Sequence, residues 1–207
     1  MTPAKDHALA VLKSHGRSFY FAGQLLSPVY RVRAARLYAF CRFVDDIADE
    51  SSDPELAMHE LDQIKNALQR GHSSQPCVMD MIALMQELNM PSEPIFSLIQ
   101  GVQSDLSVPR VEDEAELLRY AYQVAGTVGL MMCFVLDVRD QQAWPFAINL
   151  GIAMQLTNIA RDVGQDARNG RIYLPAIWHE GLTTGEILEP NAQQEKKLQA
   201  ATKKLLA

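Results

Sequence analysis

The stretch Gly151–Asp166, which reads GIAMQLTNIARDVGQD, constrains the fold more than any other part of this sequence. Side chains that can offer an oxygen atom recur in it at steps of three and four residues: Gln155, Asn158, Asp162 and Asp166. At that spacing they lie along one face of a helix, whose other faces are largely apolar. Such a stripe predicts a bound cation, because hard oxygen ligands one turn apart suit Mg²⁺. Taken alone, it would equally fit a solvated face beside Arg161 and Arg168.

A second acidic pair favours the cation site. The stretch Leu37–Glu50 reads LYAFCRFVDDIADE and places Asp45 and Asp49 one helical turn apart, with Arg42 a turn earlier. One acidic pair on an amphipathic helix is ordinary, but two pairs, each in an apolar helix and each near an arginine, are not. Facing helices that project carboxylates inward are a known way to build a metal site in a helical core.

The composition indicates one all-α domain. Apolar residues recur with the helical period, alternating strand patterns are absent, and 207 residues suffice for one sizeable core. The predicted architecture is a helical bundle around a central cavity. The net charge is 19 − 25 = −6 without a basic tract, which argues against a nucleic-acid partner. Three widely spaced cysteines and an N-terminus without a signal-peptide core predict a cytoplasmic protein.

Punctuating residues divide the chain into predicted helices. They cover residues 2–15, 28–50, 54–68, 77–88, 94–105, 113–136, 141–168 and 191–207, with Arg171–Pro175 extended between the last two. Gly126 and Gly129 interrupt the 113–136 helix, which indicates close approach of either another helix or a ligand. The last helix ends without a cap, so we expect the chain to be a domain, residues 1–207, that lacks its final helices.

Several stretches, in order along nearly the whole chain, resemble the squalene/phytoene synthase family. They are His15–Phe19, Asp45–Asp49 (DDIAD), Tyr120–Gly129, Gln155–Asp162 (QLTNIARD) with Asp166, and Gly170–Pro175 (GRIYLP). Gly129–Met132 and Gln155–Asp162 look most like the bacterial phytoene synthases. The resemblance implies an isoprenoid synthase-type helical bundle.

The resemblance also implies roles for individual residues. The metal ligands would be Asp45, Asp49, Asn158, Asp162 and Asp166. The catalytic residues would be Tyr120, Tyr38, Arg42 and Arg161, and the substrate-binding residues His15, Arg17, Ser18, Phe19, Gln155, Arg171 and Tyr173. A dry apolar chamber must shield the reacting carbocation, and Phe21 and Phe40 are further candidates for its walls.

The activity implied is the head-to-head joining of two prenyl diphosphates. For a phytoene synthase, two geranylgeranyl diphosphates give phytoene through a cyclopropyl diphosphate, a step of carotenoid biosynthesis. A squalene or dehydrosqualene synthase acting on farnesyl diphosphate is the alternative, and a terpene cyclase shares the spacing of Asn158, Asp162 and Asp166. A non-catalytic relative that serves as an assembly factor belongs to a different class, and would be expected to lose carboxylates.

The expected cofactor is Mg²⁺, or Mn²⁺ in its place. No nicotinamide is expected, because phytoene formation needs none and the sequence has no glycine-rich dinucleotide fingerprint. The expected partners are prenyl diphosphates, and greasy substrates suggest peripheral contact with a membrane. The longest apolar run, Val124–Leu136, is too short to span a bilayer. The sequence leaves the oligomeric state open.

Overall fold

The computed structural model describes residues 3–107 and 111–206, apart from the side chains of residues 3–6 and of Arg17. Within these ranges the helices are, in order, α1 (Pro3–His15), α2 (Arg17–Gly23), α3 (Pro28–Glu50), α4 (Pro54–Arg70), α5 (Pro76–Leu88), α6 (Glu93–Ser104), α7 (Glu114–Ala121), α8 (Thr127–Val135), α9 (Trp144–Arg168), α10 (Ala176–His179), α11 (Thr184–Leu188) and α12 (Ala192–Leu205). The predicted all-α fold is confirmed.

Most helix boundaries lie where the punctuating residues predict them. Asp53 caps α4, because its carboxylate accepts from the backbone N–H groups of Glu55 and Leu56 at 2.9 and 3.3 Å. Gly170, with φ of 78°, follows the end of α9, as expected for a residue that must enter the left-handed region. Among the described helices, none is both long and apolar enough to cross a membrane. Peripheral membrane contact stays a prediction.

Several segments differ from the sequence-based boundaries. The predicted 113–136 helix contains a π-helical segment, Tyr122–Gly126, between α7 and α8. A 3₁₀ turn, Gln141–Ala143, precedes α9, which starts at Trp144 rather than at Gln141. The helix α6 ends at Ser104, so Asp105 lies just beyond it. The short helices α2 and α10 were not predicted, whereas α11 follows the capping box that Thr183 and Glu186 predict. The predicted linker at 108–111 lies mostly outside the described residues.

The helices pack around four apolar cores in the described part of the chain, and the two largest border the site. The larger joins α3, α4, α5, α6 and α8, and its fully buried side chains include Phe40, Leu61, Met81, Ile95 and Met131. The smaller of these two is formed where α7, α9, α12 and the segment after α9 bring together Leu117, Ile159, Leu174, Ala201 and Leu205. The helix α9 takes part in both, because Trp144 packs against the larger core and Ile159 lies in the smaller.

Glycines bring α9 unusually close to the helix that precedes it. A Cβ at Gly151 would lie 2.3 Å from the carbonyl oxygen of Ala125, and one at Gly129 would lie 2.1 Å from that of Ala147. Real Cβ atoms do not approach backbone so closely, so only glycine permits this spacing. Of the two readings of the interior glycines, the structure shows that another helix, α9, makes the close approach.

We predict that Gly151→Ala destabilises the protein, because the new methyl group meets backbone that has no rotamer to change. Overpacking of this kind costs about 1–3 kcal/mol, and in a protein of this size each kcal/mol lowers the melting temperature by about 2–4 °C. The matched control is Gly164→Ala in the same helix, where a Cβ meets nothing within 4 Å. That variant should gain up to about 1 kcal/mol of helix propensity. Equal melting temperatures for the two variants would contradict the packing account.

Candidate active site

A cleft of about 250 Å³ lies between the two cores. It is bounded by α3, by the end of α6, by α7 with the π-helical segment, by α9 and by the segment that follows α9. The lining residues are Asp45, Ala48, Asp49, Val102, Asp105, Tyr120, Val124, Gln155, Asn158, Ile159, Arg161, Asp162, Asp166, Arg171 and Tyr173. All five predicted metal ligands therefore line one cleft, with both acidic sets present.

The first acidic set is on α3 and is electrostatically strained. Burial raises the pKa of Asp45 to about 7, and the negative charge of Asp49, one turn later, raises it further in the same direction. Asp49 itself is exposed, and its Oδ1 is 2.9 Å from Nη1 of Arg171. Arg42, which the sequence places one turn before this acidic pair, does not form its ion pair with Asp45 or Asp49. It pairs instead with Asp46 on the same helix, at 2.5 Å.

The second acidic set is on α9, where Gln155, Asn158, Asp162 and Asp166 share the cleft-facing side as their spacing predicts. Burial and the neighbouring Asp162 raise the pKa of Asp166 to about 6. The pKa of Asp162 is shifted in the opposite direction. Arg161 donates to both of its oxygens, at 2.8 and 2.6 Å, and these hydrogen bonds lower its pKa.

Two tyrosines and one aspartate form a compact polar group in the cleft. The rings of Tyr120 and Tyr173 stack, with centroids 4.9 Å apart and planes 18° apart. Both hydroxyls donate to Asp105, Tyr120 to Oδ2 and Tyr173 to Oδ1, each at 2.9 Å. Burial raises the pKa of Asp105 to about 6, although these hydrogen bonds and Arg171 oppose the rise.

Some of the predicted site residues do not line this cleft. They are His15, Ser18, Phe19, Tyr38 and Arg42, and the side chain of Arg17 lies outside the described residues. Phe19 and Tyr38 pack together with ring centroids 6.0 Å apart, and Phe19 is 53% exposed. Of the two further wall candidates, Phe40 is instead a fully buried residue of the larger core, and Phe21 is 75% exposed.

The family model for squalene/phytoene synthases matches residues 12–207, which is nearly the whole chain. The chain belongs to this family. It is 35% identical to a phytoene synthase of Cereibacter sphaeroides, over 97% of this chain and 60% of that protein. It is 34% identical to a 15-cis-phytoene synthase of Pantoea ananas, over 91% of this chain and 66% of that protein. The chain thus spans less than two thirds of the length of both relatives.

A solved structure agrees with the sequence comparison. A dehydrosqualene synthase crystallised with a ligand superposes with a TM-score of 0.84 and is 28% identical. The match covers 98% of this chain and 73% of that one. The isoprenoid synthase-type fold predicted from the sequence is thereby confirmed.

Asp105 is the lining residue that sequence reasoning missed. It stands alone just past the end of α6, away from either aspartate-rich stretch, and resembles an ordinary polar residue at a helix end. The sequence nevertheless contained an indication that such an acidic residue exists. Tyr120 and Tyr173 were both predicted at the site, and tyrosine hydroxyls inside a chamber require an acceptor. A search for an acidic residue on a neighbouring helix would have considered Asp105.

The donor set of the cleft fits a divalent cation that is shared with a ligand. Carboxylate and amide oxygens are hard donors suited to Mg²⁺. In the part of the chain that the structure describes, no three acidic, histidine or cysteine side chains converge tightly enough to hold a metal ion by themselves. Phosphate oxygens would complete the coordination, since Mg²⁺ is usually bound through one or two carboxylates plus substrate phosphates.

We predict that the metal-free protein loses stability as the pH rises from 5 to 8. The pKa of Asp45 is about 7 in the folded protein against an ordinary value of 3.8, so the folded state binds more protons across this range. The free energy of unfolding therefore falls with rising pH. Asp45→Asn should flatten this slope and raise the melting temperature at pH 8 by a few degrees.

The control is Asp162→Asn, because the pKa of Asp162 is lowered and its charge helps the fold. This variant should not gain stability at pH 8. Melting curves are recorded at several pH values in the presence of a chelator. If Asp45→Asn keeps the wild-type slope, Asp45 does not titrate as the structure indicates.

Proposed function

We propose that this protein joins two prenyl diphosphates head to head, with geranylgeranyl diphosphate as the substrate and phytoene as the product. The observation that carries the proposal is the cleft in which the acidic pair of α3 and the acceptor stripe of α9 both face one space. The similarity to proteins named phytoene synthase, at 34–35% identity, supports this choice of substrate. The reaction proceeds through a cyclopropyl diphosphate.

The acidic residues hold the metal in this proposal. Asp45 and Asp49 on one wall, and Asn158, Asp162 and Asp166 on the other, supply oxygen ligands for Mg²⁺ or Mn²⁺. A bound divalent cation neutralises the charge that develops as diphosphate leaves an allylic carbon. The raised pKa of Asp45 supports this role, because burial beside Asp49 makes a nearby positive charge favourable.

Arginines complete the diphosphate site. Arg171 bridges from the segment after α9 to Asp49 on α3, so its guanidinium lies between the two walls. Arg161 is largely exposed and lines the same cleft. Both can turn from their carboxylate partners to phosphate oxygens, for which the planar guanidinium provides paired donors.

The carbocation then has to be shielded from water. Tyr120 and Tyr173 present aromatic rings to the cleft, and aromatic faces stabilise cations by about 0.5–2 kcal/mol. The roles of His15, Arg17, Ser18, Phe19 and Tyr38 in holding the prenyl chains stay predictions, as does the extent of the domain.

A dehydrosqualene or squalene synthase reaction on farnesyl diphosphate is the second candidate. The close superposition with a dehydrosqualene synthase favours it. The same cleft chemistry serves both substrates, and the depth available to the prenyl chain distinguishes them. A non-catalytic role is disfavoured because every carboxylate of the two sets is retained.

We predict that Asp45→Asn and Asp162→Asn each lower Mg²⁺-dependent hydrocarbon formation by about 100-fold or more. The lost ligand removes several kcal/mol of charge stabilisation, and each 1.4 kcal/mol is a factor of ten. Radiolabelled geranylgeranyl and farnesyl diphosphates are supplied separately, and the hydrocarbons are separated by chromatography. Phytoene from the longer substrate confirms the proposal, whereas product from farnesyl diphosphate alone supports the second candidate.

The control is Asp62→Asn on α4, whose carboxylate accepts from Gln103 and does not line the cleft. This variant should keep wild-type activity. All variants should show the same helical circular dichroism. Near wild-type activity in Asp45→Asn or Asp162→Asn would refute the metal-site assignment.

A further inference from the structure

The Asp105 carboxylate differs from the other acids of the cleft in its hydrogen-bond partners. It lies on the wall formed by the end of α6 and accepts two tyrosine hydroxyl protons, one on each oxygen. Among the other acids of the cleft, Asp49 and Asp162 form ion pairs with arginines, and Asp45 and Asp166 each lie near another acid. Asp105 is therefore held in place by neutral donors.

These hydrogen bonds determine whether the two tyrosine hydroxyls can donate or accept a further hydrogen bond. A tyrosine hydroxyl has one proton to donate and lone pairs that accept. Since Tyr120 and Tyr173 both give their proton to Asp105, each oxygen is left as an acceptor at the cleft. The stacked rings keep both oxygens on the same carboxylate.

The reaction proposed above requires such an acceptor. Head-to-head condensation removes a proton from a substrate carbon, and the pair of electrons of that C–H bond closes the cyclopropane ring. A neutral tyrosine hydroxyl is a poor base, because its protonated form is a very strong acid. The better base, the phenolate, is scarce near neutral pH, because the pKa of a tyrosine is about 10. Burial in this cleft raises the pKa of Tyr120 further, so Tyr120 does not become a stable phenolate.

We propose that Asp105 is the positioning residue and final proton acceptor for this step, acting through Tyr120; the proposal rests on the proposed function. The substrate C–H bond breaks and its proton passes to Oη of Tyr120. At the same time the original hydroxyl proton of Tyr120 moves along its 2.9 Å hydrogen bond to Oδ2 of Asp105. Tyr120 stays neutral, and the negative charge of Asp105 is consumed.

Tyr173 has a supporting part in this arrangement. Its hydrogen bond to Oδ1 fixes the carboxylate so that Oδ2 remains directed at Tyr120. The charges of Arg171 and Asp49 both act on Asp105, and their effects on its pKa are opposite in sign. The pair leaves the tyrosines as the direct partners of the carboxylate.

The test is Asp105→Asn, which keeps the shape of the side chain but removes its capacity to take up a proton. Two products are measured with Mg²⁺ and geranylgeranyl diphosphate: released diphosphate and cyclopropyl or hydrocarbon product. Removing a general base typically costs 10²–10⁴-fold, so we expect product formation to fall by about 100-fold. Diphosphate release and KM should change little, and the ionised prenyl group should appear as prenyl alcohol.

A substrate isotope effect separates the proton step from a structural role. With substrate deuterated at C1, the variant should show a larger isotope effect on product formation than the wild type, because proton removal becomes rate-limiting. Asp105→Glu should restore part of the rate. Asp62→Asn on α4, which lies outside the cleft, should keep both the wild-type rate and the wild-type isotope effect.

The outcomes distinguish this proposal from the proposed function. If the wild type makes no hydrocarbon, the proposed function fails. If the wild type makes hydrocarbon and Asp105→Asn does so at the same rate, another base, such as the released diphosphate, takes the proton and the inference is wrong. It is also wrong if diphosphate release falls in parallel with product, because Asp105 would then act in ionisation.

Discussion

The close contact between α9 and the helix before it sets the geometry on which the site depends. Carbonyl oxygens of Ala125 and Ala147 occupy space that a Cβ would need at Gly151 and Gly129. Gly151 lies one turn before Gln155 on the same face of α9, so the face that meets the preceding helix continues into the stripe that lines the cleft. The same contact holds the π-helical segment, so that Val124 and Tyr120 form the adjoining wall. The packing of these two helices thus determines where the walls of the site lie.

The acids gathered in this cleft are unfavourable to one another without a cation. Burial raises the pKa of Asp45, Asp105 and Asp166, and neighbouring carboxylates raise it further. Arg161 and Arg171 compensate only part of this charge. A site of this kind gains from binding a divalent cation with its diphosphate, because the ligand relieves a repulsion already present in the fold. The same carboxylates that would bind the cation therefore lower the stability of the fold when no cation is bound.

The sequence allowed much of the fold and the metal face to be predicted, but less of the rest of the site. Helical spacing alone placed Asn158, Asp162 and Asp166 on one face, because a helix fixes the relative directions of its own side chains. It could not place Arg42, whose choice between Asp45 and Asp46 depends on rotamers. Nor could it find Asp105, since that residue acquires its role only when α6 packs beside the tyrosines. The sequence predicted which side chains share a face of one helix, but it did not predict the contacts between different helices.

The central claim is that the two acidic walls bind metal and diphosphate together, and ligand-induced stabilisation tests it most directly. Melting temperatures are measured with Mg²⁺ alone, with a non-hydrolysable prenyl diphosphate analogue plus chelator, and with both ligands. By mass action, binding to the folded state raises the melting temperature, and the rise grows with the ratio of ligand concentration to its dissociation constant. The account predicts a rise with both ligands that exceeds the sum of the separate rises. An equal rise from the analogue in chelator would contradict it.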